Sequence, residues 1–562
     1  SEPTEPHPEV HQFILIQGEV MSLRNRFVLP LALSALAVLA ACGGSNSATV
    51  TPPPGGGFSN TNLNGTYVFS TSGSDVNGAF IVIAGTFTAS SGSITGGALD
   101  ANDPLNGILT AEPITGGNYH VGVDGRPSSN LGLLTLQTAA GNFTFDYVLT
   151  SSSHGLITLF DGANGTGSGT MDLQSSVAQS DINGKSYTFS LNGIGSLNSS
   201  TGVQTIFGAT GTFALDSNGG IGATTAGVED VNNNGLAICG ANGCAITSGS
   251  VTLGATLPGL AVFTTNAGTF TFDVYPVDST HLKLIEIDAA PIIAGDAYTA
   301  STAIPSGNNV FTVAGFDSVV QGPFTAAGIL NTDGAGNVTT SSVEDINDVG
   351  TAIEVGNISG TYSAISGGRS VITLNAFING NGGLGCNGCM FAAYPSAGGT
   401  QLLEIDNAGV TTGVAYAQTA TTLADNEGYG MNLSGNNGIE EDDIAEFTSS
   451  GGTFTGVIDF NDTGSLTFGQ KFTSTYAADS TVSGRGVVTP GSNAFNLVTY
   501  VVDDSRTVFV ETDSNQVGLG AFVLQNASAS SNSAQRHLTA LNVTMKPVVK
   551  SSAKTKLKRR QF

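Results

Sequence analysis

His281-Leu282-Lys283-Leu284-Ile285-Glu286-Ile287-Asp288 is a short apolar run that ends in two acidic residues. The run is too short for a typical helix and is rich in β-formers, so it predicts a strand with an acidic end. Close copies occur at residues 401–406 and 508–513, and a weaker copy at 154–161 keeps the His, the apolar residues and the final Asp. This recurring strand sets the register of the whole chain.

A second marker, an acid-x-Asn motif, recurs with nearly the same period. Its Asn residues are separated by 130, 115 and 114 residues, and the Glu of the acidic strand recurs at spacings of 118 and 107. Two independent markers therefore indicate a unit of about 115 residues present four times, which suits a small domain better than a solenoid repeat. We interpret the motif as a turn; its copies are Asp100-Ala101-Asn102-Asp103, Asp230-Val231-Asn232-Asn233, Asp345-Ile346-Asn347-Asp348 and Asp459-Phe460-Asn461-Asp462.

The composition favours many short strands joined by tight turns. Of 562 residues, 77 are Gly, only 11% are charged and 40% are hydrophobic, which is enough for real cores. The first copy has about eight strand candidates and no convincing helix. We predict an all-β fold of four tandem antiparallel domains, preferably lipocalin-like up-and-down barrels, because consecutive hairpins need no long crossover and closure removes exposed edges. Two-sheet sandwiches are the alternative.

Charge is distributed very unevenly along the chain. Residues 43–535 contain 7 Lys and Arg residues against 39 Asp and Glu residues, a difference of −32. A body this acidic repels phosphate backbones, so nucleic acid is not an expected partner. The last 27 residues contain eight basic residues and no acid. This tail is either a disordered solvated segment or a contact for anionic lipid, lipopolysaccharide or the acidic repeats.

The front of the chain has the order of a bacterial export signal. A short basic region at residues 21–26 precedes an apolar stretch from Phe27 to Val38, which is too short for a comfortable membrane span. The stretch ends in Leu39-Ala40-Ala41-Cys42, which resembles the lipobox of bacterial lipoproteins. An ordinary signal peptide that happens to contain a Cys is the alternative.

The lipobox resemblance implies that Cys42 is the lipidated mature N-terminus, with acyl chains such as palmitate that hold it to a membrane. In that family, Gly rather than Asp after the Cys favours the outer membrane, so we expect a cell-envelope or cell-surface protein. The repeats resemble, in style, the Gly/Ser-rich repeat-built bacterial lipoproteins, a group without an assigned function.

These observations divide the chain into eight expected segments. Residues 1–20 are expected to be a non-native upstream extension, 21–41 a lipoprotein signal peptide, and 42–60 the lipidated Cys with a flexible, Pro/Gly-rich tether. The four β-repeats are expected at 61–175, 181–300, 307–420 and 426–526, followed by the basic tail at 527–562.

The Glu-x-Asp ends are the first candidate for chemistry. Alternation along a strand places the two carboxylates on one face, and paired carboxylates carry glycoside hydrolysis. The competing interpretation is structural: acids at strand ends that meet backbone N–H groups or solvent. Because catalytic sites are rarely triplicated in one chain, we favour the structural role for Glu286, Asp288, Glu404, Asp406, Glu511 and Asp513.

A calcium site is the second candidate. Asp345, Asn347 and Asp348 precede Gly350, and alternating oxygen-bearing side chains around a Gly turn are typical of calcium loops. The segment lacks the spacing and terminal Glu of an EF-hand, and an Asx-stabilised turn explains the same residues. No other cofactor is expected.

The cysteines form two close pairs besides Cys42. Cys239 with Cys244, and Cys386 with Cys389, are expected to close small disulfide loops outside the cytoplasm. A redox role needs the strand–helix setting of thioredoxin motifs, and zinc would have to join pairs from different repeats.

No specific activity can be assigned from the sequence. Nucleophile-elbow, Walker and HExxH motifs are absent, and few His residues are present, so we do not expect an enzyme. We expect a non-enzymatic, envelope-anchored lipoprotein of binding or structural type, with the membrane and a glycan or other envelope component as partners. The alternatives are a carrier of small apolar ligands inside the barrels and a carbohydrate-active enzyme that uses the Glu-x-Asp pairs.

Overall fold

The described chain folds into four β-barrels that follow one another in sequence. In this computed structural model, residues 57–128, 132–198, 203–222, 226–379 and 386–528 are described. Barrels 1 to 4 span residues 65–173, 186–299, 307–417 and 428–524. The prediction of an all-β fold with four tandem antiparallel domains is therefore confirmed.

Barrels 1 and 2 contain extra short strands. Barrel 1 consists of β1 (Gly65–Ser74), β2 (Phe80–Ser90), β3 (Ser93–Asp103), β4 (Gly107–Ile114), β5 (Gly116–Asn118), β6 (Leu134–Gln137), β7 (Asn142–Leu149), β8 (His154–Asp161) and β9 (Gly165–Leu173). A four-residue helix, α1 (Gln179–Ile182), follows. Barrel 2 consists of β10 (Ser186–Asn198), β11 (Val203–Ala214), β12 (Gly220–Ile221), β13 (Gly227–Asn233), β14 (Leu236–Ala237), β15 (Cys244–Thr252), β16 (Gly259–Thr265), β17 (Thr269–Asp278), β18 (His281–Glu286) and β19 (Ile292–Thr299).

Barrels 3 and 4 have eight strands each. Barrel 3 consists of β20 (Gly307–Asp317), β21 (Gly322–Thr332), β22 (Asn337–Asp348), β23 (Thr351–Tyr362), β24 (Ser370–Phe377), β25 (Cys386–Ser396), β26 (Gly399–Glu404) and β27 (Gly409–Ala417). Barrel 4 consists of β28 (Gly428–Asn436), β29 (Glu440–Ser450), β30 (Thr453–Asp462), β31 (Ser465–Ala478), β32 (Arg485–Ser492), β33 (Leu497–Asp503), β34 (Arg506–Glu511) and β35 (Val517–Leu524).

Each barrel closes through eight strands in up-and-down order. In barrels 3 and 4 the last strand pairs with the first, β27 with β20 and β35 with β28. In barrel 1 the closed circuit leaves out β4, and in barrel 2 it leaves out β12 and β14, which pair only at one edge. The preferred barrel is thus confirmed and the sandwich alternative is wrong, because each sheet returns to its own first strand.

The acid-ended strands are buried on both faces. In β18, Leu282 and Leu284 point into the core of barrel 2, whereas Ile285 packs outward in a cluster shared with barrels 1 and 3. A second shared cluster joins barrels 1, 3 and 4. Burial on both faces is why these strands read as continuous apolar runs rather than as an alternation.

The four barrels form a closed ring. We call the end at which β1, β10, β20 and β28 finish the upper end of each barrel, and the opposite end the lower end. At the lower end, the residue that leaves each barrel donates its backbone N–H to the next: Ser175 to Val277 O (2.8 Å), Ser301 to Pro395 O (2.9 Å), Thr419 to Val502 O (2.8 Å) and Asn526 to Thr150 O (2.7 Å). The last of these joins barrel 4 to barrel 1, so the same contact repeats four times around the ring.

The acid-x-Asn motifs lie at strand ends. The acid-x-Asn motifs, predicted as turns, are instead the last residues of β3, β13, β22 and β30, and the turn follows them. The turn prediction was wrong because the strand pairing continues through the motif, for example between Asn347 and Ala352.

No helix in the described ranges has the length and hydropathy needed to cross a membrane.

Candidate functional site

The interfaces between consecutive barrels, which we call seams, bring the two sequence markers together. At seam 2–3, Nδ2 of Asn232 donates to Glu404 O and Gly409 O, both at 2.9 Å. The other three Asn residues repeat this contact: Asn102 to Glu286 O (2.9 Å) and Asp288 O (3.1 Å), Asn347 to Glu511 O (2.8 Å) and Gln516 O (2.7 Å), and Asn461 to Leu159 O (2.8 Å) and Gly165 O (2.9 Å). The markers share a period because each is one half of the same interface.

The Asp of the motif holds a guanidinium at seams 2–3 and 3–4. Asp230 accepts from Arg369 Nε (2.5 Å) and Nη2 (2.9 Å), and also from the Tyr394 hydroxyl (2.6 Å). Asp345 accepts from Arg485 Nε and Nη2, both at 2.8 Å, and from the Tyr500 hydroxyl. All six side chains are buried. Bidentate pairing of this kind satisfies both charges at once.

Seam 4–1 also pairs the Asp of the motif with a guanidinium, but this arginine comes from a different loop. Arg126 comes from the loop between β5 and β6 and pairs with Asp459. A second carboxyl, Asp146, lies beside them, and burial followed by the charge of Asp459 raises its pKa well above the ordinary value. The guanidinium therefore pairs with Asp459, and burial favours the protonated form of the neighbouring Asp146.

Seam 1–2 has no arginine. Asp100 faces Tyr275 and Asp273 instead, and all three are buried. The strand register shows which residue replaces the arginine. Arg485 pairs with Tyr500 in barrel 4. In barrel 2 the ladder starts with Gly259 opposite Val274, so extending it by one residue places Pro258 at the level of Tyr275. Burial followed by the charge of Asp100 raises the pKa of Asp273 to about 7. Burial also raises the pKa of Asp100.

The Glu-x-Asp pairs lie at the upper ends of three barrel interiors. In two of the copies a single N–H group donates to both carboxyls of the pair. Thr271 N donates to Glu286 Oε1 and Asp288 Oδ2, both at 3.1 Å. Asn379 Nδ2 donates to Glu404 Oε1 (3.3 Å) and Asp406 Oδ2 (2.8 Å). Burial, followed by the neighbouring Asp288, raises the pKa of Glu286 to about 10.

The other two Glu residues share this environment. Burial raises the pKa of Glu404 and of Glu511 well above the ordinary value, with Asp406 and Asp513 adding to the rise. Asp513 accepts from Asn496 N at 3.0 Å. The three Glu side chains have no exposed surface, so a substrate in solution has no access to these carboxyls.

Sequence reasoning missed a run of buried acids in β29. Glu440 accepts from Ser74 Oγ at 2.6 Å, and Asp442 accepts from Thr166 Oγ1 and Ser168 Oγ, both at 2.8 Å. These three donors lie in barrel 1, so the outward face of this strand is part of seam 4–1. Its alternate residues, Glu441 and Asp443, belong to the inward face of the same strand and are also buried. Four consecutive acids inside an otherwise strand-like segment were the available signal.

A charged cluster joins barrels 1 and 2 between the two His-started strands. Lys283 Nζ lies 3.3 Å from Asp296 Oδ1 and 3.6 Å from Asp172 Oδ2 of barrel 1. His154 pairs with Asp172 at 2.7 Å and His281 with Asp296 at 2.6 Å. Burial opposes ionisation of Asp296, but Lys283 and His281 outweigh it and lower its pKa. The cluster compensates its own charges inside the ring.

The calcium candidates have protein partners in this structure. Asp345 is bound to Arg485, and Asn347 Oδ1 accepts from Gly350 N at 2.9 Å. No group of three or more His, Cys, Asp or Glu side chains in the described residues is arranged to hold a metal ion. Calcium binding by Asp345, Asn347 and Asp348 stays a prediction.

The cysteine pairs lie in barrels 2 and 3. Cys239 and Cys244 form a disulfide that closes the loop between β14 and β15. Cys389 is also disulfide-bonded, whereas the side chain of Cys386 lies outside the described part of the chain. Cys42, the tether before residue 57 and the basic tail after residue 528 lie outside it as well.

The described barrel interiors are filled with side chains. Phe residues are prominent in the core of barrel 4, where Phe447 packs against Phe454 and Phe522. A cavity among Phe472, Phe495 and their neighbours in barrel 4 has about 20 Å³ that a water-sized sphere can occupy. That space suits one water molecule rather than a lipocalin-sized ligand.

Comparisons with known proteins give only weak structural similarity. No protein-family model matches this chain, and no curated protein matches it. Similar solved structures include intact Ap-TbpB with its N and C lobes, at 12% identity and a TM-score of 0.17, covering 68% of this chain and 86% of that chain.

Two further structures of this kind are similar at the same level. Transferrin Binding Protein B from Haemophilus parasuis Hp5 is 10% identical, with a TM-score of 0.18, over 68% of this chain and 82% of that chain. The isotype 1 protein from serogroup B Neisseria meningitidis is 11% identical, with a TM-score of 0.17, over 66% and 84%. TM-scores this low carry no argument about the partners of this chain.

Proposed function

We propose that this chain is a lipoprotein of the cell envelope in which the four-barrel ring is held to a membrane through Cys42 and has a non-enzymatic binding or structural role. The observation that carries the proposal is the lipobox Leu39-Ala40-Ala41-Cys42 behind a basic and an apolar segment. Multiple acyl chains on one residue anchor a protein stably, whereas a single chain does so only marginally.

The position of the chain ends supports this role. Residues 57–64 lead into the lower end of β1, and Asn62 Nδ2 donates to Ala527 O at 3.0 Å. Both ends of the described chain therefore lie at the lower end of the ring. The eight basic residues that follow in the sequence suit contact with anionic lipid or lipopolysaccharide.

A binding or structural role suits the ring itself. Its conspicuous titratable groups are engaged with other groups of the same ring at the seams, in the Glu-x-Asp pairs and in the Lys283 cluster. The packed interior of barrel 4 gives the carrier alternative no support. Buried Glu286, Glu404 and Glu511 give the carbohydrate-active alternative none either.

The test is acylation at Cys42. The full chain is expressed in a Gram-negative host with a labelled palmitate analogue, beside Cys42→Ala and the control Ser45→Ala. We expect label and membrane association in the wild type and the Ser45→Ala control, and loss of both in Cys42→Ala. Membrane association of unlabelled Cys42→Ala at the wild-type level would overturn the lipid-anchor proposal.

A further inference from the structure

The upper end of the ring exposes aliphatic side chains at the tips of its turns. Turn tips usually carry Gly, Asn, Asp or Ser, yet Leu236 is 64% exposed, Val319 59% and Ile439 52%. Of the twelve exposed large hydrophobic residues in the described chain, six lie in upper-end turns, and Leu236 is the first residue after such a turn: Val76, Leu105, Leu236, Val319, Val320, Val349 and Ile439. We call this side of the ring the tip face.

The tip face is one surface because the upper ends of all four barrels point the same way. Each Asn bridge joins the upper end of one barrel to the upper end of the next. The turns touch across seams: a Cβ on Gly464 of barrel 4 would lie 3.3 Å from Val76 Cγ1 of barrel 1. Likewise, a Cβ on Gly235 would lie 2.6 Å from Ser318 Oγ in barrel 3.

The first hairpins of the repeats converge near the ring axis. The hairpin of barrel 1 contacts that of barrel 2 through Phe80 N and Gln204 Oε1 at 2.9 Å, and that of barrel 4 through Ser74 and Glu440. Phe316, at the upper end of the first hairpin of barrel 3, packs in the same cluster as Phe80. Val76, Val319, Val320 and Ile439 therefore surround the axis, and Leu105, Leu236 and Val349 lie at the second hairpins.

The charge of the tip face has one sign. Half-buried carboxylates lie at the upper strand ends, or directly after them, in all four barrels: Asp161, Asp288, Asp406, Asp462 and Asp513. The seven Lys and Arg residues in the described chain lie at lower ends or along strands, none of them in an upper-end turn: Arg126, Lys185, Lys283, Arg369, Lys471, Arg485 and Arg506. A partner that covers aliphatic tips here also meets negative charge without a compensating cation.

Two observations define the chemistry of that partner. The exposed large hydrophobic residues of the described chain include no Phe or Tyr, and the sequence has no Trp, so the face lacks an aromatic platform for sugar rings. The tip face also lies opposite the end from which residues 57–64 and 525–528 leave. In a chain anchored through Cys42, which is the proposed function on which this step rests, the tip face is the end of the ring remote from residue 57, where the described chain begins.

We propose that the tip face is a docking surface for a protein partner whose contact surface combines aliphatic and positively charged side chains. The aliphatic tips around the axis supply the apolar centre of the contact, and the strand-end carboxylates surround it. This arrangement matches the apolar core and polar rim of protein–protein interfaces.

The probe is a fluorescent amphipathic helical peptide of Leu and Lys, titrated in solution with the full chain. Three variants are compared with the wild type. The first is the tip triple, Val76→Asn/Val320→Asn/Ile439→Asn. The second is a matched triple of exposed residues elsewhere, Leu260→Asn/Met390→Gln/Val487→Asn, and the third is Cys42→Ala, which removes the anchor alone. A Lys/Ser peptide of the same charge and vesicles of anionic phospholipid are the comparison ligands, and melting temperatures confirm folding.

We expect the Leu/Lys peptide to bind the wild type, the matched triple and Cys42→Ala equally, and the tip triple at least about ten-fold more weakly, since three apolar contacts are lost. The Lys/Ser peptide is expected to bind weakly and without regard to the tip triple. Equal loss in both triples, or no preference for Leu/Lys over Lys/Ser, overturns the proposal. Vesicle binding that depends on the tip triple while peptide binding does not identifies the face as a membrane contact and also overturns it. Peptide binding is measured on Cys42→Ala as well as on the wild type. Failure of the docking proposal is therefore distinguishable from failure of the lipid-anchor proposal.

Discussion

Asn461 of barrel 4 donates its side-chain amide to the backbone oxygens of Leu159 (2.8 Å) and Gly165 (2.9 Å) in barrel 1, about three hundred residues earlier in the chain. This contact joins the last repeat to the first, in the same way that Asn102, Asn232 and Asn347 join the others. The ring is therefore closed by a group that the sequence already marks as a repeat residue.

We expect Asn461→Ala to lower the free energy of unfolding by roughly 1–3 kcal/mol, because two buried carbonyl oxygens lose their donor. Asn461→Asp should be worse at pH 7, since a carboxylate would face the same two oxygens. Thermal unfolding followed by circular dichroism measures both. Asn493→Ala is the control, because Asn493 makes the same kind of bond to Lys471 O in an exposed turn. An Asn461→Asp protein as stable as the wild type would show that this bridge does not hold the ring.

The guanidinium seams predict a different pattern. Replacing Arg485 with Met leaves Asp345 buried without its bidentate partner, which should cost about 3–5 kcal/mol. Adding Asp345→Asn should recover much of this loss, because no uncompensated charge then remains. Chemical denaturation of the single and double variants measures the coupling, with exposed Lys471→Met as the control. Equal stability of the single and double variants would contradict a charge-pairing role.

Much of the barrel fold can be predicted from the sequence, but the arrangement of the four barrels in a ring cannot. The strand candidates and the four-fold period follow from the recurring 281–288 stretch, and these local patterns are what strands require. The seams arise from contacts between residues more than a hundred positions apart, such as Asp230 and Arg369. The arginine position of seam 1–2 lies one residue before the ladder that starts at Gly259, so extending the register places Pro258 there. Register is known only once the strands are paired.

Some signals for the ring were nevertheless present. The copies of the 281–288 strand are apolar on both faces, although a lone barrel facing water calls for alternation; this difference indicates a second packing partner outside the barrel. Lys283 in the middle of that run was the other signal, because a buried lysine requires an acidic partner. Its partners, Asp172 and Asp296, come from two different barrels, which local patterns do not reveal.

The Lys283 cluster leads to a prediction of its own. Lys283→Met removes the cation between Asp172 and Asp296, whose carboxylates also contact His154 and His281. We expect a loss of about 3–5 kcal/mol, because two buried carboxylates lose the positive charge beside them. Denaturant unfolding measures the loss, with Lys471→Met as the exposed control. An equal change in stability in the two variants would contradict the proposed compensation.

Substitutions in the Glu-x-Asp pairs distinguish a structural role of these carboxyls from a catalytic one. Burial raises the pKa of Glu404 well above its ordinary value and so favours the neutral carboxyl, and Thr411 Oγ1 donates to Oε2 at 2.9 Å. Glu404→Gln preserves size and neutrality and should change stability by less than about 1 kcal/mol, whereas Glu404→Ala leaves a cavity and should cost roughly 2–4 kcal/mol. Melting temperatures test this, and a glycoside-hydrolysis screen of wild type and Glu404→Gln/Asp406→Asn tests the alternative. Hydrolysis by the wild type that the double variant lacks would contradict the structural role.

The seam without arginine should respond to pH. Asp100 and Asp273 face each other across seam 1–2 with Tyr275 as their other titratable neighbour, and burial followed by the charge of Asp100 raises the pKa of Asp273 to about 7. A carboxyl whose pKa is higher in the folded than in the unfolded chain binds its proton more tightly when folded. Its contribution to stability is therefore present at low pH and is lost as the pH rises through the folded-state value. The same direction holds for Glu286, Glu404 and Glu511, so the wild type should be more stable at pH 5 than at pH 8.

Asp273→Asn isolates the contribution of the seam from that general trend. The amide cannot ionise, so the variant should melt close to the wild type at pH 5 and above it at pH 8, with a smaller fall between the two. Asp504→Asn, at an exposed position in the β33–β34 turn, is the matched control and should follow the wild-type profile. Calorimetric melting temperatures at half-unit steps from pH 5 to pH 8 measure the difference. A parallel profile for Asp273→Asn and the wild type would mean that the two carboxyls do not share a proton, and that neither an arginine nor a shared proton compensates Asp100 at seam 1–2.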